Sequence, residues 1–284
     1  MRRSFLAAAV IIFMAVAWDV PVIHAQNQPS PFTGCKVVPL PLVNAAFEQR
    51  VVELTNDHRV SIGLPPLKRA APLDEAARFH AYDMATEEYF DHDSLDMIER
   101  VTEESGTVKT TFNVVCSMAK RVGQSYKGWS RLGENIAAGQ ESPEQVVQRW
   151  LESPGHRANI EGKDFREIGV GFATSGGGFF PTRWVQNFGT RSRIHPLVIN
   201  REYAQTDSPE VEVYVYGRWT QMRLRNDNGA WTAWQKFQNS FRWRLDWAAG
   251  ERQVCAELRS GGRREVTCDS IVLTTSDPGL SGAS

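Results

Sequence analysis

The chain has 284 residues, of which 42% are hydrophobic and 23% charged, and its formal net charge is −1. Such a length suits one large core or two ordinary ones. Near-neutrality argues against nucleic acid as a partner, since phosphate binding needs a basic face.

Arg2 and Arg3 precede an apolar run over residues 5–16, and Ile23-His24-Ala25 offers a small-residue cleavage site before Gln26. This reads as a signal peptide over 1–25 followed by an N-terminal extension over 26–46. RRSFL also fits the core of a twin-arginine signal, although the lysine that often follows is missing. FTGC at 32–35 is separated from the apolar run by the polar stretch QNQPSP, which argues against a lipid anchor. No later stretch reaches the roughly 18 apolar residues of a transmembrane helix. The mature protein is therefore expected to be exported, extracellular or periplasmic, and not transmembrane. Four cysteines in such a chain read as two disulfides, with three pairings open. Nearness in sequence favours Cys35–Cys116 and Cys255–Cys268; the alternative is free buried thiols.

Phe47, Val51, Leu54 and His58 recur at helical spacing, and Gly63 followed by Pro65 stops the helix. A second helix is expected from Pro72 to about Tyr89, burying Leu73, Ala76, His80 and Met84. Residues 103–129, with Cys116, form an insertion longer than a connection needs, long enough to lie across a neighbouring cleft. Ser142-Pro143-Glu144-Gln145 is a capping box with proline at the first helical position, and it turns Val146 and Trp150 inward. Ser153-Pro154 repeats the start signal, so a new short helix carries His156 in its first turn. Ile168, Val170 and Phe172 alternate with Gly169 and Gly171; after SGGG, Trp184, Gln186 and Phe188 share one face of a return strand. This is a β-hairpin packed beneath the helices.

The pattern changes from helical to alternating near 191–195, and five of the nine tryptophans, Trp219, Trp231, Trp234, Trp243 and Trp247, lie beyond it. Val211, Val213 and Val215, then Met222 and Leu224, an NDNG turn, Trp243, Leu245 and Trp247, then Val254, Ala256 and Leu258 mark short strands of an antiparallel β-sandwich. Domains are expected over 47–191 and 192–276, with a tail over 277–284. The tryptophans read either as a platform for cell-wall or glycan contact or, more in keeping with large aromatics, as core and rim.

His92 lies just past the second helix, Glu134 at the start of a strand and His156 in a helical first turn. Two imidazoles and a carboxylate are ligand types for zinc, and an open fourth position leaves room for water. A helix N-terminus keeps His156 neutral and able to donate its lone pair. The alternative is that these groups hydrogen-bond one another across loop junctions without a metal, and their long, irregular spacing lacks the specificity of HExxH. His80, on an apolar stripe, reads as structural, and His195, beside Pro196, as exposed. Asn135, Gln186 and Asn187 invite a role in binding, against the more usual anchoring of backbone.

Six words in order over residues 47–189, NDHRVSIGLPPL, HAYDMATEEYFDH, GENIA, RWLESPGHRANI, EIGVG and WVQNFG, resemble the CAP superfamily: cysteine-rich secretory proteins, antigen 5 and plant pathogenesis-related proteins, in the bacterial secreted form. The resemblance implies an α+β fold, a three-layer α-β-α sandwich. MRLRNDNGAWTAW with DSIVL is similar to the immunoglobulin-like modules appended to bacterial extracellular proteins. The resemblance also implies that His92, Glu134 and His156 belong to a cleft tetrad of two histidines and two glutamates able to hold a divalent metal. Here the chain departs, because WLES places Ser153 where the eukaryotic proteins carry the second glutamate. Glu152 falls one residue early, and one residue on a helix turns a side chain by about 100°. Serine is a poor zinc ligand, so a metal site, if one is present, has three protein ligands or is weakened; Ser153, Asn135 and Gln186 are expected to line the cleft.

Three functions follow. The first is non-enzymatic binding of a small ligand, lipid or peptide in the His/Glu cleft; the second is a zinc-dependent hydrolase with Glu134 or a metal-bound hydroxide as base; the third is an extracellular scaffold whose cleft histidines are structural. The missing glutamate, the lack of a G-x-S-x-G elbow and the use of the cysteines in disulfides weigh against catalysis. Binding is the leading reading.

Overall fold

The computed structural model describes residues 34–103, 105–175 and 180–275. The signal peptide over 1–25 and the tail over 277–284 lie outside the described residues. Asn44 accepts the Phe47 N–H at 3.1 Å and so caps α1, Ala45–Ser61, which buries Val51, Val52 and Thr55. The two-residue strand β1, Lys68–Arg69, leads into α2, Ala71–Thr86, which has proline in its first turn and buries Leu73, Ala76, His80 and Met84. The helix ends short of the expected Tyr89 because Glu88 takes φ 57, outside helical space.

The expected insertion begins earlier than its sequence suggests. It is an antiparallel hairpin, β2, Ser94–Thr102, with β3, Val108–Cys116, followed by α3, Met118–Ser125. Then come β4, Trp129–Ala138, α4, Pro143–Glu152, α5, Pro154–Ile160, β5, Glu167–Thr174, and β6, Thr182–Arg191. The Ser142 hydroxyl caps α4 by accepting the Gln145 N–H at 3.3 Å.

One sheet runs in the order β1-β5-β6-β4, with β5 and β6 paired as the expected hairpin. Trp184, Phe188, Ile168 and Val170 pack with Val51, Val52 and Trp150 of α1 and α4. On the opposite face Ala173, Val185 and Ile136 pack with Ala77, Ala81 and Met84 of α2. The result is the three-layer α-β-α sandwich. Gly169 and Gly171 make the α2 side possible: a Cβ on either would stand 2.2 Å from the backbone of α2, at Asp74 and Ala77 respectively.

Past Arg191 the chain becomes all β: β7, Leu197–Ile199, a 3-10 turn Asn200–Glu202, β8, Gln205–Thr206, β9, Glu210–Val215, β10, Gln221–Asn226, β11, Gln235–Lys236, β12, Ser240–Arg244, β13, Gly250–Ser260, and β14, Arg263–Leu273. Two sheets, β11-β10-β13-β14-β8 and β12-β9-β7, face each other across Val211, Val213, Val215, Leu224, Val254 and Leu258. The overall class is α+β. Both expected disulfides form, Cys35–Cys116 and Cys255–Cys268. His195 differs from expectation: it is buried, with its ring nitrogen 2.7 Å from Glu265 and its ring edge-on to Trp219. Among the described residues no helix is long and apolar enough to cross a membrane.

Candidate functional site

β4 is an edge strand paired along its length with β6, and this register sets Glu134 opposite Asn187 and Asn135 opposite Gln186. Alternation then sends Glu134 toward α2 and Asn135 toward α1. The Glu134 carboxylate is buried, and each of its oxygens has a protein partner. Oε1 lies 3.0 Å from His92 Nδ1, and Oε2 accepts from the Arg121 guanidinium at 2.7 Å. With its amide turned to satisfy both neighbours, Asn187 also donates to Oε2 at 3.0 Å while accepting the Ala77 N–H at 3.2 Å.

Arg121 comes from α3 and is fully buried. It further donates to the Ser94 hydroxyl at 3.1 Å and the His92 carbonyl at 3.0 Å, so one guanidinium fixes the loop that carries His92. Burial pushes the Glu134 carboxyl up, but Arg121, with His80 and His92, outweighs it and holds the group at about 2. The hydrogen bond to Glu134 raises His92. His156 is lowered, as expected, but by burial first, then by the positive charge of His92 and Arg149. His80 donates to the Asp91 carbonyl at 2.9 Å, and burial lowers it as well.

Beside this cluster lies an open cavity of about 640 Å³. Its walls include Phe90, Ile136, Trp150 and Phe180, and its polar groups include Arg149 and His156. Ser153 lines it. Glu152 lines it too, but its carboxylate turns back along α4 to Gln148 at 3.1 Å and Arg149 at 3.8 Å. Asn135 and Gln186 do not line this cavity. They are fully buried anchors: Asn135 donates to the His156 carbonyl and to Gln186, each at 3.1 Å, and Gln186 donates to Thr55 of α1 at 2.8 Å. Asn159 completes the tie between α5 and β4, donating to the Glu134 carbonyl at 3.0 Å.

The structure therefore brings His92 and Glu134 into contact and sets His156 on the cavity wall. Among the described residues no three His, Cys, Asp or Glu side chains are grouped to hold a metal. The donor set does not fit zinc, because the carboxylate that would ligate it is neutralised by Arg121. Sequence reasoning missed Arg121 and Asn159. For Arg121 the available signal was the apolar i, i+4, i+8 row Met118, Val122 and Tyr126, which marks α3 as an amphipathic helix with an inner face.

The profile of the cysteine-rich secretory protein family, CAP, matches residues 52–188. Residues 52–188 are a CAP domain. The chain is 40% identical over 144 residues to the uncharacterized protein YkwD of Bacillus subtilis (strain 168), spanning 51% of this chain and 47% of that protein. It is 30% identical over 129 residues to the uncharacterized membrane protein YlbC of the same organism, spanning 45% of this chain and 32% of that protein. The chain thus spans less than half the length of these curated relatives. Among solved structures, an extracellular protein containing a SCP domain from Bacillus anthracis str. Ames is 28% identical, with TM-score 0.40, over 51% of this chain and 40% of that one. Cavity and Glu134 cluster both fall within the CAP domain.

Proposed function

We propose that this is an exported, non-enzymatic binding protein whose CAP domain takes a small ligand, lipid or peptide in the cavity beside His156. The observation that carries this reading is the state of Glu134. A carboxylate with every oxygen bonded, one of them to a buried guanidinium, is a poor base and a poor metal ligand. The adjacent cavity, by contrast, has apolar walls with Arg149 and His156 at one side, and its volume suits a small ligand. Disulfides support export, since they persist in oxidising compartments. The strand order of the C-terminal module, with three strands facing five, supports an immunoglobulin-like assignment, and we give that module the role of surface or glycan contact.

The test is titration of the mature protein with palmitate and with an apolar hexapeptide, alongside Ala138→Trp, which fills the cavity. Saturable binding lost in Ala138→Trp is expected. If neither probe binds, and calorimetry shows one equivalent of zinc that disappears in His92→Ala/His156→Ala, the binding reading gives way to the zinc-dependent hydrolase.

A further inference from the structure

Alternation along β10 and β13 sends Met222, Leu224, Val254, Ala256 and Leu258 into the sandwich core. The opposite face therefore carries Arg223 and Arg225 from β10 and Glu257 and Arg259 from β13. Arg264 of β14 is aligned with Arg259, and Arg223 with Glu257. The segment between β10 and β11 lays two indoles over these arginines. Arg225 and Arg223 stand 4.7 and 5.3 Å from the Trp231 ring centre. Arg259, Arg223 and Arg264 stand 3.9, 4.9 and 5.9 Å from that of Trp234. The side chains thus form an interleaved row, Arg225, Trp231, Arg223, Trp234, Arg259.

Charge in this row is not balanced from within. Glu257 reaches Arg223 at 2.5 Å and Arg264 at 3.5 Å. Arg259 donates to the neutral Gln221 at 2.8 Å, and the Nε–H of Arg225 is buried with no acceptor among the described residues. Among the described residues, the four guanidinium groups of this row thus have one carboxylate paired with them, that of Glu257, and it reaches two of them. A guanidinium stacked on an aromatic ring keeps its in-plane N–H donors for carboxylate or phosphate at its edge. Ordering by the indoles removes much of the entropy cost that a mobile arginine would meet on binding.

We infer that this Arg–Trp row is a docking surface for an acidic polysaccharide. Charge complementarity selects the anion, and the Cys255–Cys268 disulfide, whose Cys255 is the cross-strand partner of Arg225, argues for a polymer met outside the reducing cytosol. The inference rests on assigning surface contact to the C-terminal module and leaves the CAP cavity out of account.

The test uses the whole mature protein in cosedimentation with polygalacturonate, neutral dextran and double-stranded DNA at low and moderate salt. Polygalacturonate binding is expected, weakened about tenfold in Arg225→Gln/Arg264→Gln and by added salt. Arg225→Lys/Arg264→Lys should recover it only in part, and Ala138→Trp should leave it unchanged. Arg264→Gln alone is a safe second variant, because that side chain is 64% exposed. Equal binding of dextran, or DNA bound as tightly as polygalacturonate, overturns the inference. If polygalacturonate binds but both glutamine variants retain it, the row is refuted while surface contact stands; if no glycan binds, both fall.

Discussion

The guanidinium of Arg121 and the carboxylate of Glu134 are buried to 0% and 1% exposure, so neither charge has water to fall back on. Removing one partner of such a pair leaves the other uncompensated, at a cost of about 3–5 kcal/mol. Glu134→Gln is therefore expected to lower the urea midpoint by that equivalent, and Arg121→Met/Glu134→Gln to lower it less than the single change. The pair also sets an acid limit. Unfolded chains take up this proton near the ordinary value of 4.5, whereas the folded carboxyl stays ionised to about 2. Its stabilising contribution is full above pH 4.5 and is lost as pH falls from there toward 2. Urea midpoints between pH 6 and 3 should fall more steeply in the wild type than in the double variant; parallel curves would refute this. The words around His92, Glu134 and His156 made those positions legible in the sequence. Arg121 was not, since only the tertiary fold carries α3 beneath β4.

Where α2 crosses the β5–β6 hairpin, the spacing is set by glycine. Any Cβ on Gly171 meets the carbonyl carbon of Ala77 at 2.2 Å, and no rotamer change relieves a backbone contact. Gly171→Ala must push helix and sheet apart and is expected to cost at least the 1–3 kcal/mol typical of overpacking. Gly155→Ala in α5 is the control: nothing lies within 4 Å of its Cβ, and alanine favours a helix, so its melting temperature should be unchanged or raised. A wild-type melting temperature for Gly171→Ala would exclude this close approach. Alternation and capping signals located α1, α4, α5 and the hairpin well, because each is written in local sequence. The end of α2 was misplaced by three residues, since Tyr89 belongs to the same apolar cluster as the helix yet is reached after Glu88 has left helical space. The β2–β3 arm was invisible as strands because most of it is exposed and carries no one-sided apolar pattern.

Among the contacts between the CAP domain and the β module is one between residues 201 apart in sequence, Lys68 of β1 and Asp269 of β14. Partners so far apart in sequence leave no local signal, so this joint was not legible in the sequence. Glu202 joins the pair, 2.9 Å from the Lys68 ammonium and 3.1 Å from the Arg69 N–H. To reach it the chain takes φ of 41, 61 and 68 at Asn200, Arg201 and Glu202, none of them glycine, at about 1–2 kcal/mol each. Side chains of α1 hold this turn: Asn56 donates to the Arg201 carbonyl at 2.9 Å and Gln49 to that of Glu202 at 2.5 Å. Burial, with the Asp269 charge adding to it and Lys68 opposing, pushes Glu202 up to about 8. The folded protein therefore keeps a proton there that the unfolded chain releases near 4.5, and this group's contribution to stability declines as pH rises from about 4.5 to 8. Glu202→Gln stays neutral throughout and removes that decline. Its melting temperature should change less than the wild type's between pH 5.5 and 8.5, and an identical change in both would mean that Glu202 is already ionised in the joint.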